Sequence, residues 1–254
     1  MHAGHLKQHT KQAVRRAIGE PYVGKRLKMR RLNAEMPKLG LLPRNILDAG
    51  AEDATFVYWL ADRYPEANVT AVDMDAAAVA ACIAARPRKY QHRVTFRVGY
   101  FADLEPRSFD LITAFDVLEH IVDDKAAVGE LVRALEPGGH LLVHVPRDRW
   151  LTRSGRVHAV PDADAWRINA GHVRQGYSPE RMRALLEDSG LTVLEVSAWL
   201  GRWGTLAHEF YARVETPIAL RLLSLPVTDA CAALDRRAGT PEGNTIYARA
   251  VKPT

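Results

Sequence analysis

Asn45-Ile46-Leu47-Asp48-Ala49-Gly50-Ala51-Glu52-Asp53-Ala54-Thr55-Phe56 decides the fold. An apolar run ends in Asp-x-Gly and passes directly into a helical pattern. A second apolar run, Val69-Thr70-Ala71-Val72, then ends in Asp73-Met74-Asp75. Strand, helix and strand in that order make a β-α-β unit, and such units bind small ligands at the carboxyl ends of their strands. Gly50, with no Cβ, lets backbone come close to a ligand. The turn does not read Gly-x-Gly-x-x-Gly, so it is not the dinucleotide fingerprint.

The rhythm continues outward. Residues 46–50, 69–73, 94–98, 109–115 and 141–145 read as strands. Residues 53–64, 75–85 and 123–135 read as helices between them. The run 109–115 is almost wholly apolar, as expected of a strand covered on both faces. Glu136-Pro137-Gly138-Gly139 is a tight turn into the strand at 141. Strands alternating with helices predict a mostly parallel sheet. Residues 147–177 break the pattern, with tryptophans, arginines and glycines but little periodicity. They read as a lid-like insertion over the strand ends. Ser178-Pro179-Glu180-Arg181 has a capping serine and a proline at the first helical position. It starts a helix that Gly190 ends, and a strand follows at 191–196. Residues 205–237 read as helical with interruptions at Pro217 and Pro226, and 245–251 as a closing strand. Residues 1–42 read as two helices broken near Gly19-Glu20-Pro21. The expectation is a single domain over 1–254, with an N-terminal helical cap, the insertion and a helical addition before the last strand.

A chain of 254 residues buries a full core in one domain. Its two cysteines, Cys82 and Cys231, lie far apart in helical segments, which predicts reduced thiols and a cytoplasmic protein. No apolar run reaches the roughly 18 residues of a spanning helix, and the N-terminus has no apolar signal core. The net charge of +5 is uneven. Lys7, Lys11, Arg15, Arg16, Lys25, Arg26, Lys28, Arg30 and Arg31 face only Glu20 across the first 31 residues. The expectation is a solvated amphipathic helix. A polyanion-binding arm is the rival, but no aromatics are interleaved for stacking on bases, and a nucleic-acid partner is not expected.

Three further signatures stand at the expected distances: Ser108-Phe109-Asp110-Leu111-Ile112, then Asp116-Val117-Leu118-Glu119-His120, then Leu135-Glu136-Pro137-Gly138-Gly139-His140-Leu141. With the Asp-x-Gly turn, residues 45–198 and the closing strand resemble the class I S-adenosylmethionine-dependent methyltransferases of small-molecule type. The resemblance implies an α/β fold, a doubly wound, mostly parallel seven-stranded Rossmann-like sheet. It implies S-adenosylmethionine as the cofactor. By motif, Asp48, Ala49, Gly50 and Ala51 line the methionine end, Asp73 holds the ribose hydroxyls and Met74 lies against the adenine. Tyr100 stands where the family often has an acid for the adenine amino group, and Phe101 offers its backbone there. Phe115 and Asp116 sit under the sulfonium. The family's glycine motif runs Asp-x-Gly-x-Gly-x-Gly, whereas Glu52 and Ala54 occupy the later glycine positions here. Glu52 adds a carboxylate near the cofactor's own, which is unfavourable unless it turns away or is paired.

For the chemistry, methyl transfer needs alignment first and a base second. His120 and His172 are the expected catalytic bases, while His144, inside a buried strand, reads as a core histidine. Arg147 and Arg174 are expected to hold an anionic acceptor, and Trp150, Trp166 and Tyr177 to form an apolar wall. Asp116, Glu119 and His120 also suit a metal ion, but the same motif reads as a plain substrate rim, so a metal is left unassigned. The expected partner is a small-molecule acceptor methylated at oxygen or nitrogen, with a second copy of the chain left open. The alternatives are a methyltransferase-like protein that has lost catalysis, an RNA methyltransferase, or the same fold and cofactor put to cyclisation.

Overall fold

The computed structural model describes residues 20, 22–152, 154, 156–159, 171–213, 225–238 and 242–254. Helix α1 (Val23–Glu35) precedes the alternation β1 (Asn45–Ala49), α2 (Thr55–Arg63), β2 (Asn68–Asp73), α3 (Ala76–Ala84), β3 (Val94–Val98), β4 (Phe109–Phe115), α4 (Asp124–Ala134) and β5 (Leu135–Pro146). A hairpin of β6 (Arg149–Leu151) and β7 (Val157–Ala159) follows. Then come α5 (Pro179–Asp188), β8 (Thr192–Trp199), α6 (Arg202–Arg213), α7 (Leu225–Ala238) and β9 (Thr245–Val251).

One sheet carries seven strands in the order β3-β2-β1-β4-β5-β9-β8. Strands β1 to β5 are parallel, and β9 runs antiparallel between β5 and β8. The strand order reverses at β1 and β4, and a crevice opens beyond their carboxyl ends. Both faces of β1 are covered. Ile46 packs with Val57, Leu60 and Leu111 on one side, and Leu47 packs with Ile112, Leu131 and Leu186 on the other. Each such side chain taken fully out of water stabilises the fold by roughly 1.5–3 kcal/mol. Local signals agree with the packing. Asp75 caps α3 by accepting the amides of Ala77 and Ala78, and Ser178 caps α5 through the amide of Arg181.

Two expectations are corrected. The 147–177 insertion contains a two-stranded ladder, Arg149 opposite Ala159 and Leu151 opposite Val157, too short to register as periodicity. Pro226 sits in the first turn of α7, where no intrahelical N–H is needed, and residues 214–224 before it lie outside the described residues. The described part of the basic N-terminal segment is not a solvated helix. Val23 and Leu27 of α1 are buried in a third apolar cluster with Trp199, Ala207, Cys231 and Ala232. Its cations are paired: Arg26 and Arg30 with Asp229, Arg31 with Glu35 and Glu195. Residues 1–19 and the Pro217 position lie outside the described residues. Another cap crosses between helices, where Asp235 of α7 accepts the amides of Trp203 and Gly204 at the start of α6.

Candidate active site

The turn after β1 is tight because its neighbours leave no room. Gly50 has φ +86°, and a Cβ there would lie 2.4 Å from Val117 Cγ2. The next departures from glycine keep glycine's geometry: Glu52 has φ 43° and Ala54 φ 60°. Left-handed backbone costs a residue with a side chain roughly 1–2 kcal/mol. Local contacts hold the turn there. The Ala54 amide donates to Ala51 O at 2.7 Å, and the Glu52 amide to Asp73 Oδ2 at 3.0 Å. Lys25 of α1 reaches Glu52 Oε2 at 2.9 Å and Asp53 Oδ1 at 2.8 Å. The extra carboxylate is therefore paired, which removes much of the expected repulsion.

Asp73 ends β2. Its Oδ1 accepts the Asp75 amide at 2.9 Å while Oδ2 accepts that of Glu52. Two backbone donors fix the carboxylate, and each oxygen keeps lone-pair capacity for one more donor. Gly50, Asp73, Met74, Tyr100, Phe101 and Phe115 all line one cavity of about 1420 Å³. Asp48, Ala49 and Ala51 do not. Ala49 and Ala51 are buried in the strand and beneath the turn, and Asp48 accepts the Thr113 hydroxyl at 2.6 Å between β1 and β4. Burial, then the charges of Glu52 and Asp73, push the Asp48 carboxyl up to about 7, against the Thr113 bond and Lys25. It supports the turn from below.

Asp116, also on the cavity wall, is strained at φ 55°. Its amide donates to His144 O at 2.8 Å, its Oδ1 lies 2.7 Å from His144 Nδ1, and its Oδ2 pairs with Lys28 Nζ. His144 is not an inert core residue, because it too lines the cavity. Burial, helped by the Lys28 charge, holds its imidazole well below the ordinary histidine range. Burial also lowers Lys28 to about 8, opposed by Glu119 and Glu52 and reinforced by Lys25.

At the mouth, His120 Nδ1 is 3.2 Å from Gly171 O. A carbonyl only accepts, so this nitrogen carries the proton and Nε2 keeps its lone pair. The rings of His120 and His172 meet edge to face at 4.7 Å. Glu119, His120 and His172 bring ligand atoms within 4.8 Å of one another and could hold a metal ion. Asp116 is not in that group; its carboxylate meets Lys28 and His144.

Of the expected acceptor wall, Trp150 lines the cavity and Trp166 lies outside the described residues. The other three residues stand behind the wall. Arg147 is buried, bonding Gly243 O at 3.3 Å and Glu242 at 3.2 Å. Arg174 pairs with Asp124 and bonds the carbonyls of Ile121 and Val122. Tyr177 is fully buried with its hydroxyl against Leu118 O and Asp124, and burial pushes it up to about 12. Together Arg174 and Tyr177 brace the mouth segment, so their charge and hydroxyl are spent on the fold. Lys28, Trp199 and His208 line the cavity without having been singled out in the sequence. Lys28 was hidden in a run of cations, and nothing local to Trp199 or His208 marks them.

The methyltransferase domain family matches residues 22–196, well over half of the chain. The chain belongs to that family. Ubiquinone biosynthesis O-methyltransferase of Idiomarina loihiensis is 34% identical over 107 residues, covering 40% of this chain and 42% of that protein. Trans-aconitate 2-methyltransferase of an Acidovorax species is 28% identical over 131 residues, covering 51% and 49%. The chain spans about half the length of the curated relatives it matches. Among solved structures, phosphoethanolamine N-methyltransferase 2 of Haemonchus contortus superposes with a TM-score of 0.62 at 20% identity, over 89% of this chain and 53% of that one. The [4+2]-cyclase SpnF superposes at 0.56 and 23% identity, over 83% and 76%. Both likenesses are of fold. The methyltransferase domain accounts for the sheet order and the Asp-x-Gly crevice. The family match begins at Tyr22, so it takes in α1, which carries Lys25 and Lys28.

Proposed function

We propose that this chain transfers a methyl group from S-adenosylmethionine to an oxygen or nitrogen of a small-molecule acceptor. The observation that carries the reading is the Asp73 carboxylate, fixed by two backbone amides beside a turn whose Gly50 position would not admit a Cβ. A ribose with two adjacent hydroxyls fits that carboxylate, Met74 and Tyr100 supply apolar surface for a purine, and Phe115 and Asp116 stand at the inner end. S-adenosylmethionine, when bound, supplies an electrophilic methyl group: an acceptor lone pair forms the new bond to carbon as the carbon–sulfur bond breaks with its electron pair left on sulfur. The chain's own residues align and desolvate the partners, and they handle the proton. His120 and His172 meet the acceptor at the mouth, where the Nε2 lone pair of His120 takes the acceptor's proton and then passes it to solvent. Trp150 and Trp199 supply apolar surface for the acceptor.

The same reading takes the acceptor as a water-borne molecule in the cytoplasm. Among the described residues no helix is long and apolar enough to cross a membrane. Pairing of two copies belongs to this proposal and is read by sedimentation of the full chain. An RNA substrate is disfavoured because the described cations of α1 are engaged with carboxylates. Loss of the cofactor site is disfavoured because Glu52 and Ala54 keep the turn's left-handed geometry. Calorimetry with S-adenosylmethionine and S-adenosylhomocysteine tests the reading. Saturable binding of both is expected, and binding of neither would refute it.

A further inference from the structure

Tyr100 stands where an acid was expected for the amino group of the cofactor's purine, and the acids nearest to it do not make up the loss. Asp103 turns back to accept the Tyr100 amide at 2.8 Å and is not part of the cavity lining. Asp75 closes the start of α3, its Oδ1 accepting the amides of Ala77 and Ala78. The opposite wall belongs to α4. Asp123, which caps that helix, then Ala126, Ala127 and Glu130 fall on one face at spacings of three and four, and all line the cavity. Alanine side chains project little, so a ring edge can come close between the two acids. Glu130 is aimed by its own helix. Its Oε2 accepts Arg133 Nε at 2.7 Å, and the same guanidinium donates through Nη2 to Ala102 O at 3.0 Å. One planar group thus holds a carboxylate of α4 against the backbone beside Phe101, which also lines the cavity. The other oxygen, Oε1, has no hydrogen bond among the described residues. Asp123 differs: its Oδ1 is spent on the Ala126 amide at 2.9 Å.

We propose that Glu130, reaching across from α4, determines specificity for the purine: its Oε1 accepts the 6-amino group of adenine, the Phe101 amide donates to the ring nitrogen beside it, and Arg133 positions the carboxylate. This rests on the methyltransferase reading. Adenine presents an amino donor next to a ring-nitrogen acceptor, and a carboxylate set beside a backbone N–H complements that pair. The acid placed by a helix thus does the work of one placed by the end of β3. The arrangement also sets an order of preference. A 6-oxo purine carries an oxygen and a ring N–H in the reversed order, so its oxygen faces the carboxylate and its N–H faces the amide. A purine with hydrogen at that carbon leaves Glu130 without a donor but brings no repulsion. The 6-amino purine should therefore bind best, the 6-hydrogen purine next and the 6-oxo purine least. The Glu130 side chain is 37% exposed, so water competes for the bond and the lower end of the range for a charged hydrogen bond applies.

The test is calorimetry on the full chain with three probes: S-adenosylhomocysteine, S-inosylhomocysteine, and the analogue of the first with hydrogen in place of the 6-amino group. Wild type should bind the 6-hydrogen probe about tenfold more weakly than S-adenosylhomocysteine, and the inosine probe more weakly still. Glu130→Ala should lose about tenfold on S-adenosylhomocysteine but less than about twofold on the 6-hydrogen probe, because the lost bond exists only with the amino group. Equal losses on both probes would show that Glu130 merely supports the wall, and would overturn the inference. Glu130→Gln can turn an N–H toward an oxygen, so it should narrow the gap between the adenosine and inosine probes, which a structural role would not do. An unchanged gap would also overturn it. Asp123→Asn, which keeps a capping side chain, tests the rival acid. If that variant and not Glu130→Ala removes the preference for the amino group, the contact belongs to Asp123 and the inference falls. Binding of none of the probes by wild type would refute the methyltransferase reading itself. Equal binding of all of them would leave that reading standing and refute the purine contact alone.

Discussion

The two ends of the cavity are built by different means. The end at β1 and β2 is made of backbone: the Gly50 turn, the amides of Glu52 and Asp75, and one carboxylate that organises them. Its parts lie within a short stretch of chain. The other end is made of side chains from elements that meet only in the fold: Lys28 from α1, His144 from β5, Trp150 from β6, Trp199 from β8 and His208 from α6. A backbone-built end keeps one shape and suits a ligand common to many proteins. A side-chain-built end changes by substitution and suits a ligand peculiar to one. The difference is one of tolerance, and it can be measured.

The largest expected effect is at Asp73. On the proposed reading its removal takes away the acceptor of two ribose hydroxyls, and each charge-assisted bond is worth roughly 1.5–3 kcal/mol. Asp73→Ala should weaken S-adenosylmethionine binding at least about tenfold, and nearer a hundredfold if both bonds form, with an unchanged circular dichroism spectrum. An unaltered dissociation constant in calorimetry would break the comparison at its backbone end. At the other end, Asn244 ties the hairpin to the cap. Its side chain bonds the Leu151 amide, Leu151 O at 2.9 Å and Thr205 Oγ1 at 2.7 Å, all buried. Asn244→Ala leaves those groups unsatisfied and should cost roughly 2–3 kcal/mol of stability. Hydrogen exchange should rise around Leu151 while S-adenosylhomocysteine affinity stays the same. Equal loss of cofactor affinity would mean that the two ends are not separable.

What the sequence disclosed follows the same division. The sheet, the crevice and the place of Asp73 at the end of β2 were legible because periodicity and a turn motif are local. Even the distortion at Glu52 was visible as a departure, though not its partner, since nothing near Glu52 in the chain names Lys25. The acceptor end was legible only in fragments. Trp150 lines the cavity, whereas Arg147, Arg174 and Tyr177 are bonded within the fold, and a polar residue in an irregular segment looks the same whether it meets a ligand or braces a loop. His144 read as core because its strand is buried, and burial of a strand does not say what its last polar side chain touches. Lys28 could not be told from the other cations of its helix without the carboxylate at the end of β4.

Asp48 offers a sharper test of the backbone end, through pH. Its folded carboxyl is raised to about 7 by burial, above the ordinary aspartate value. A raised acid means that the folded state holds the proton more tightly than the unfolded one, so this group favours folding in acid. That contribution is lost as pH climbs from the ordinary aspartate range through about 7. Asp48→Asn keeps an oxygen for the Thr113 hydroxyl and carries no charge. It should stabilise the protein by about 2–3 kcal/mol more at pH 8 than near pH 5, a difference that thermal melts at the two values would resolve. A variant less stable than wild type at pH 8 would show that the Asp48 charge, and not its shape, supports the turn.

The smallest effect separates two ideas about Glu52. Its φ of 43° belongs to glycine, and Glu52→Gly should recover most of the roughly 1–2 kcal/mol that a side chain loses in that conformation. Against this stands the bond to Lys25 at 2.9 Å, whose carboxylate partner is 74% exposed. A pair so open to water is worth about 0.2–1 kcal/mol. Lys25 also keeps Asp53 at 2.8 Å, so its charge is not stranded. Glu52→Gly should therefore raise stability slightly, by about 1 kcal/mol or less. Glu52→Gln, which keeps the strained backbone and loses only charge, should not raise it. On the proposed reading the cofactor's own carboxylate approaches this turn, so charge sets the order for affinity. If Glu52 merely repels it through incomplete neutralisation by Lys25, both variants should bind S-adenosylmethionine more tightly, and by similar factors. If both bind more weakly while the glycine variant still melts higher, the strained side chain is retained for the ligand: Glu52 accepts the cofactor's ammonium, Lys25 is left to face its carboxylate, and the turn counts among the side-chain-built parts of the cavity.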